Sequence, residues 1–297
     1  MNIKLGIAPI AWSNDDMPEL GGDTPIEQCL DEAKNAGFLG IELGGKFPRN
    51  PGITNFLLNK FNLKMPGGWY GAKLRERSVN EEWTAMQDHL NLIKMVKGDV
   101  FVFADVSGSI QSDSSRSLST RPKIDGNEWK DYCNKISEIS NRLYDAGIPM
   151  SYHEHMGTII QSEEDVDRFM NETNDKTYLL FDTGHLLFAQ ADYEKILKNY
   201  INKINHIHCK DIRKNILDRS LKEDFSFRKS FLEGVFTVPG DGCIDYKPLI
   251  KILYENNYSD WLVIEAEQDP FKANPYEYAK LGYKYLSKIV LDIGYKI

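Results

Sequence analysis

The chain reads as an α/β protein, a (β/α)8 TIM barrel. Short β-branched runs alternate with amphipathic helical segments from one end to the other, and the count reaches eight of each. The first strand leads into APIAWSNDD rather than a glycine-rich phosphate turn. A doubly wound sheet would open on GxGxxG or GxxxxGK(S/T) at that point, and neither occurs. The 297 residues are read as one barrel domain, 1–297, with enlarged loops near 105–125 and 211–244.

The strands are expected at IKLGIAP (3–9), GIEL (40–43), LKMPG (63–67), DVFVFA (99–104), PMSYHEH (149–155), TYLLFDT (177–183), INHIHCK (204–210) and WLVIEAE (261–267). Each is a short run of strand-forming residues bounded by turn formers or charge. The helices are expected near 25–36, 52–60, 80–97, 126–146, 162–172, 192–201, 245–257 and 274–293. Thr24-Pro25-Ile26-Glu27 predicts a capping box with proline at the first helical position. Ile26, Cys29, Leu30 and Ala33 then fall on one face, as do Trp129, Cys133, Ile136, Ile139 and Leu143 in the fourth helix.

Hydrophobic residues make up 41% of the chain, enough for a sizeable core, and charged residues 27%. A formal charge of −8 argues against a nucleic-acid partner, because phosphate binding needs a basic face. No apolar run reaches membrane-spanning length. The four cysteines, at 29, 133, 209 and 243, show no metal or disulfide spacing and fit a reducing, cytoplasmic setting. Cys29, Cys133, Cys209 and Cys243 are read as packing residues, and His89 as a solvated helix residue.

Chemistry gathers where strands end, the face on which such barrels place their sites. The fifth strand ends YHEHMGT, the sixth FDTGH, the seventh HIHCKDIR and the eighth VIEAEQD. Strand alternation sends Ser151, His153 and His155 inward, then Leu180 and Asp182, His206 and His208, Glu265 and Glu267. His153, Asp182, His208 and Glu265 compose a divalent-metal site, two carboxylates and two imidazoles suiting Mn²⁺, Co²⁺ or Mg²⁺. A lone inward histidine is more often a satisfied core residue, but four such groups at successive strand ends outweigh that reading. His206 lies one layer deeper and is read as an orienting residue. PGGWYG (66–71) is either a turn or one wall of a sugar pocket.

GIAPIAWSNDDMPELGG, GIELGGKFPR, YHEHMGT, FDTGHL, HIHCKDIR, GVFTVPGDGCID and WLVIEAEQDPFKANPYEYA together resemble the xylose-isomerase-like barrel superfamily and, within it, the inosose dehydratases of myo-inositol catabolism. FDTGH and a histidine at a strand end occur across that superfamily; AWSNDD, VPGDGCID and EAEQDP are more particular. The resemblance implies that Asp182, His208 and Glu265 are metal ligands. Many sugar epimerases carry glutamate where this chain has His153. The dehydratase pattern has three histidines in YHxHMGT, and the middle one is Glu154 here, so either His153 or Glu154 could be the fifth-strand ligand. The family is associated with Mn²⁺ or Co²⁺ and with glutathione.

The expected reaction is loss of water from 2-keto-myo-inositol (scyllo-inosose). A metal-bound ketone acidifies the neighbouring C–H, a base removes that proton and an acid protonates the leaving hydroxyl. Lys210, His155, His185 and Glu267 are the candidates for those two roles. Lys46 and Arg213 are expected to hold substrate hydroxyls, with Trp12 and Trp69 covering its apolar face. The expected partner is a small cyclic polyol ketone, with neither nucleic acid nor membrane; a homo-oligomer is compatible with the residues but not specified by them. The rivals are a metal-dependent ketose isomerase or epimerase, a repair nuclease, which the net charge disfavours, and a non-catalytic sugar-binding barrel.

Overall fold

Strand alternation decides this architecture, and the computed structural model, which describes residues 1–15, 17 and 19–297, shows it directly. The strands are β1 (Lys4–Ile7), β2 (Gly40–Ile41), β3 (Trp69–Ala72), β4 (Phe101–Asp105), β5 (Met150–His153), β6 (Tyr178–Asp182), β7 (Ile204–Cys209), β8 (Asp211–Ile212), β9 (Phe236–Thr237) and β10 (Trp261–Ile264). All but β8 and β9 form one parallel sheet in the order β2-β1-β10-β7-β6-β5-β4-β3. Single parallel bridges from Gly40 to Lys64 and from Leu43 to Gly68 join its two edges, closing the barrel. Closure removes the exposed edges that an open sheet would have to protect.

The helices are α1 (Ile26–Ala36), α2 (Pro51–Lys60), α3 (Val79–Ala85), α4 (Gln87–Met95), α5 (Gly126–Asp145), α6 (Glu163–Glu172), α7 (Thr183–Phe188), α8 (Tyr193–Tyr200), α9 (Lys214–Lys222), α10 (Phe227–Leu232), α11 (Tyr246–Glu255) and α12 (Pro275–Ile293). They receive one face of every strand. Phe101, Phe103, Met150, Tyr152, Leu179, Phe181, Ile207, Cys209, Leu262 and Ile264 belong to the large core shared with the helices. The alternate residues Val102, Leu180, Trp261 and Val263 fall in separate small clusters of the barrel interior. Among the described residues, no helix is long and apolar enough to cross a membrane.

Several expectations are corrected. The third strand lies at Trp69–Ala72 rather than 63–67, because Pro66 has no N–H for a ladder. The helix expected over 80–97 is two, separated at the buried Met86. Pro25 is the N-cap of α1 and no side chain caps it, so the box at Thr24 is absent; such boxes do form at Ser78 with Glu81 and at Ser162 with Asp165. The segment 211–244 is no simple loop. It folds as the antiparallel β8–β9 pair with α9 and α10, and Leu217, Phe227, Phe231 and Phe236 give it a satellite core with Met17, Met156 and Phe188. Cys243 is exposed, its neighbour Ile244 taking the buried place. Asp16, within AWSNDD, lies outside the described residues.

His89 is not solvated. Its Nε2 lies 3.2 Å from the Gly68 carbonyl oxygen, and its ring packs 5.1 Å from Phe101 and 5.6 Å from Tyr70. Burial pulls its pKa from 6.5 down to about 4. The unfolded chain therefore takes up this proton first as the pH falls. The stability that a neutral His89 contributes is complete above pH 6.5 and is lost as the pH falls towards 4, by roughly 3 kcal/mol. In urea titrations, His89→Gln should lower stability at neutral pH but lose less of it than the wild type on acidification; parallel losses would refute this assignment.

Candidate metal centre and substrate cleft

Register brings the metal candidates into one layer. Asp182 pairs with His208 across β6 and β7, and His208 with Val263 of β10, two residues before Glu265. One donor atom each from His153, Asp182, His208 and Glu265 lies within 4.8 Å of all the others. His153 Nε2 and His208 Nδ1 stand 3.7 and 3.6 Å from Asp182 Oδ2, and His208 Nδ1 is 2.6 Å from Glu265 Oε2. Although so close, His208 Nδ1 and Glu265 Oε2 lack hydrogen-bond alignment, and like Asp182 Oδ2 they are buried without a hydrogen-bond partner among the described residues. Buried donors that converge without satisfying one another fit a shared cation, and two imidazoles with two carboxylates suit a divalent one.

Three of the four donors are held from behind. His153 Nδ1 contacts the Glu154 carbonyl oxygen, leaving Nε2 for the shared point. Glu154 itself is buried, and neither carboxylate oxygen has a hydrogen-bond partner among the described residues. Burial, then the charge of Asp182, push its carboxyl well above the ordinary range, and it is His153 that joins the donor group. Asp182 caps α7 through Oδ1, which accepts from Gly184 N at 2.8 Å and His185 N at 2.9 Å, so Oδ2 is left for the group. His208 turns Nε2 to Glu42, 3.2 Å from Oε2, while His206 Nε2 is 2.7 Å from Glu42 Oε1. Burial opposes ionisation of Glu42, but the charge of His208 and bonds from both histidines bring its pKa down to about 2. This is the carboxylate–histidine pairing that orients metal ligands. Sequence reading missed Glu42. Its signal was an acid in the otherwise apolar GIEL, at the end of a barrel strand.

Beside this group lies a second one, His155, His185 and Glu267, organised by Lys210. The Lys210 ammonium is 2.8 Å from both His185 Nε2 and Glu267 Oε1, 3.2 Å from Glu265 and 3.5 Å from Asp182. Burial disfavours its charge, but Asp182, Glu265 and Glu267 outweigh that and hold its pKa above the usual lysine value. His185 is pushed well down by burial and the charge of Lys210, so it is neutral. Burial raises Glu267, Lys210 opposes this, and the result is a carboxyl near 7. Gly184 is a spatial requirement: a Cβ there would stand 2.5 Å from Lys210 Cγ. Thr183 Oγ1 donates to the Lys210 carbonyl oxygen at 2.8 Å and fixes the β7 end. Every letter of FDTGH after the phenylalanine thus serves the site.

The groups open onto a cleft of about 650 Å³, counting space open to solvent, lined by Glu42, His153, His155, His208, Glu265, Glu267, Gln111 and Asp15 on its polar sides. Ala8, Pro9, Ile10, Leu43, Trp69 and Val102 supply apolar wall, so the PGGWYG stretch does furnish a wall. Lys210 and His185 do not line the cleft; both lie beneath it, fully buried. Three expected substrate contacts are engaged elsewhere. Trp12 is buried in the core and its Nε1 donates to Glu32 at 2.5 Å. Lys46 donates to the Gly22 carbonyl oxygen. Arg213 clasps the β8–β9 insertion through Gly234, Phe236, Thr237 and Asp241.

A barrel of this topology with such a site defines the class, and the family model described as a xylose isomerase-like TIM barrel matches residues 30–289. A zinc-bound IOLI protein structure superposes at a TM-score of 0.72 and 17% identity, covering 98% of this chain and 99% of that one. The sequence is 41% identical to the rhizopine catabolism protein MocC of Rhizobium meliloti, over 100% of this chain and 91% of that protein. It is 40% identical to the inosose dehydratase of Lacticaseibacillus casei, over 96% and 97% of the two chains. For that of Clostridium perfringens the identity is 38%, over 97% of each. The chain belongs to the inosose dehydratase family of xylose isomerase-like TIM barrels.

Asp182→Asn and His208→Ala should each abolish divalent-metal binding in calorimetric titrations of chelator-treated protein. Glu42→Gln should weaken it by about 10–100-fold, as loss of an orienting partner does; wild-type affinity in that variant would remove Glu42 from the site.

Proposed function

We propose that this chain is a metal-dependent hydro-lyase that converts 2-keto-myo-inositol (scyllo-inosose) to a trihydroxycyclohexane-1,2-dione and water, with Mn²⁺ or Co²⁺ as the ion. The carrying observation is the four-donor group placed directly beside the carboxyl of Glu267, which faces the same cleft and is ion-paired from beneath to the buried Lys210. When bound, the divalent ion supplies Lewis acidity to the substrate ketone and a neighbouring hydroxyl, acidifying the adjacent C–H.

The residues divide the remaining work. Glu267 faces the cleft with a carboxyl near 7, so at neutral pH it is in part ionised and able to take the α-proton. Lys210 and His185 bind Glu267 or its partner from beneath, and act as positioning residues rather than as groups touching substrate. His155, which also lines the cleft, is assigned to deliver a proton to the departing β-hydroxyl. The C–H electrons become the new C=C bond as the C–O bond breaks, and the resulting enol tautomerises to the second carbonyl. Trp69 and the aliphatic wall take the C–H face of the ring. Glutathione enters this proposal only as a soluble companion of the reaction, tested by its omission.

Incubation of inosose with metal-loaded protein should give a product lighter by one water; a product of unchanged mass would favour isomerisation or epimerisation. Glu267→Gln should keep metal binding and lower kcat by roughly 100- to 10,000-fold. Because the base works ionised, wild-type kcat/KM should rise with pH through about 7 and level off above it. A rise that persists in Glu267→Gln would mean another group is the base.

A further inference from the structure

We infer that Asp15 is a specificity-determining residue: its carboxylate accepts hydrogen bonds from substrate ring hydroxyls that are not at the metal group, and its charge keeps a phosphorylated or carboxylated ring out of that place. The inference rests on the cyclic-polyol reading above and narrows it to an uncharged ring.

Asp15 lies in the loop between β1 and α1, is exposed and lines the cleft. The glycine pair of GIELGG positions its carboxylate. Asp15 Oδ2 accepts from Gly45 N at 2.7 Å. A Cβ on Gly45 would stand 2.6 Å from Asp15 Oδ1, and one on Gly44 3.7 Å from Oδ2. Gly44 itself lines the cleft. The carboxylate therefore lies over this pair at the cleft's edge, in a place that a side chain at position 45 would take. The loop that carries it is tied down. Ser13 N donates to the Pro9 carbonyl oxygen at 3.2 Å and Asn14 N to that of Leu20 at 3.1 Å, while Met17 and Leu20 are buried in the satellite core. Asp15 is outside the four-donor group.

An exposed carboxylate at neutral pH donates nothing and has about four acceptor positions on its two oxygens, so the bond from Gly45 leaves it able to take more. Ring hydroxyls are the donors that a polyol offers; its ketone oxygen has no proton to give and is left for the metal donors. Charge adds a second selection. Asp15, Glu42, Glu265 and Glu267 all line the cleft, and among the described residues no lysine or arginine does. A phosphate or carboxylate on the ring would be set against Asp15, and repulsion between like charges discriminates against a wrong ligand as effectively as a new contact favours the right one.

The test uses metal-loaded wild type, Asp15→Asn and Asp15→Ala, with inosose as substrate and a set of inositol monophosphates as competitors. Asp15→Ala should raise KM for inosose roughly 10- to 100-fold with a smaller change in kcat, the loss of a hydrogen bond to a charged group. Asp15→Asn keeps an acceptor oxygen and removes the charge. It should raise KM less, and bind at least one monophosphate about 10-fold more tightly than wild type does. Those two changes have opposite signs, whereas a loop merely loosened would weaken both ligands. Metal affinity should match the wild type in both variants; its loss would move the effect to the donor group and overturn the inference. If neither variant folds, Gly45→Ala decides, because its Cβ displaces the carboxylate with Asp15 intact: KM for inosose must rise. An unchanged KM in Asp15→Ala, or monophosphates that bind no better to Asp15→Asn, also overturns the inference. A wild type inert towards inosose overturns the functional reading and this contact with it, whereas an active wild type with an indifferent Asp15→Ala overturns this contact alone.

Discussion

Compensation of buried negative charge at one end of the barrel governs this structure. Glu42, Asp182 and Glu265 are all held below the ordinary carboxylate range despite burial. An isolated ionised carboxylate in such a place would be prohibitively costly. Lys210 answers part of this charge, being buried and 3.2 to 3.5 Å from Glu265 and Asp182. His208 answers more: burial disfavours its charge, but Glu265 and Glu42 raise it well above the usual imidazole range. A divalent cation at the donor group would take over that role, and its arrival would displace a proton from His208. The cluster is therefore built around positive charge, and removing any one cationic partner leaves buried carboxylates uncompensated.

The same constraint explains why the local sequence is so specific. Asp182 divides its two oxygens between the N-terminus of α7 and the donor group. Gly184 makes room for the aliphatic stem of Lys210, and His185 receives its ammonium. Three functions within FDTGH follow from one requirement, that Lys210, just past β7, reach beyond the end of β6 to carboxylates just past β10. The insertion that carries α9 and α10 contributes the roof: Phe227 and Phe236 pack on His185, and the Lys210 ammonium lies 4.9 Å from the Phe236 ring. An aromatic roof keeps the cation dry and strengthens its attraction to Glu267.

Much of this was legible in the sequence, for a physical reason. Alternation with period two is a local property, so the inward set His153, Asp182, His208 and Glu265 could be read strand by strand. What depends on distant partners could not. Glu42 acquires its meaning only through His206 and His208, more than 160 residues away along the chain. Trp12, Lys46 and Arg213 have the chemistry of sugar contacts, yet Glu32, Gly22 and the β8–β9 insertion claim them. Charged and aromatic residues serve loops as readily as ligands, and only tertiary position separates the two uses. Thr24 failed as a cap because Pro25 itself takes the N-cap place. His89 was misplaced because a two-helix break at Met86 turns that histidine towards Tyr70 and Phe101.

The fifth strand bears most directly on the kind of chemistry the site supports. With His153 rather than glutamate in the donor group, one anionic ligand is replaced by a neutral one, since burial and His208 hold His153 down to about 3. Fewer anionic ligands leave more of a cation's charge for the substrate oxygen. The exchange also removes a carboxylate that could serve as a second base on the opposite ring face, which stepwise epimerisation uses. Outside the donor group, the cleft holds a carboxyl near neutrality, Glu267, and the imidazole of His155. That asymmetric pair suits a reaction needing one proton removed and another delivered to a leaving group, as dehydration does. Converting His153 to glutamate would restore the carboxylate and should lower dehydration while the metal stays bound, separating the two chemistries on one scaffold.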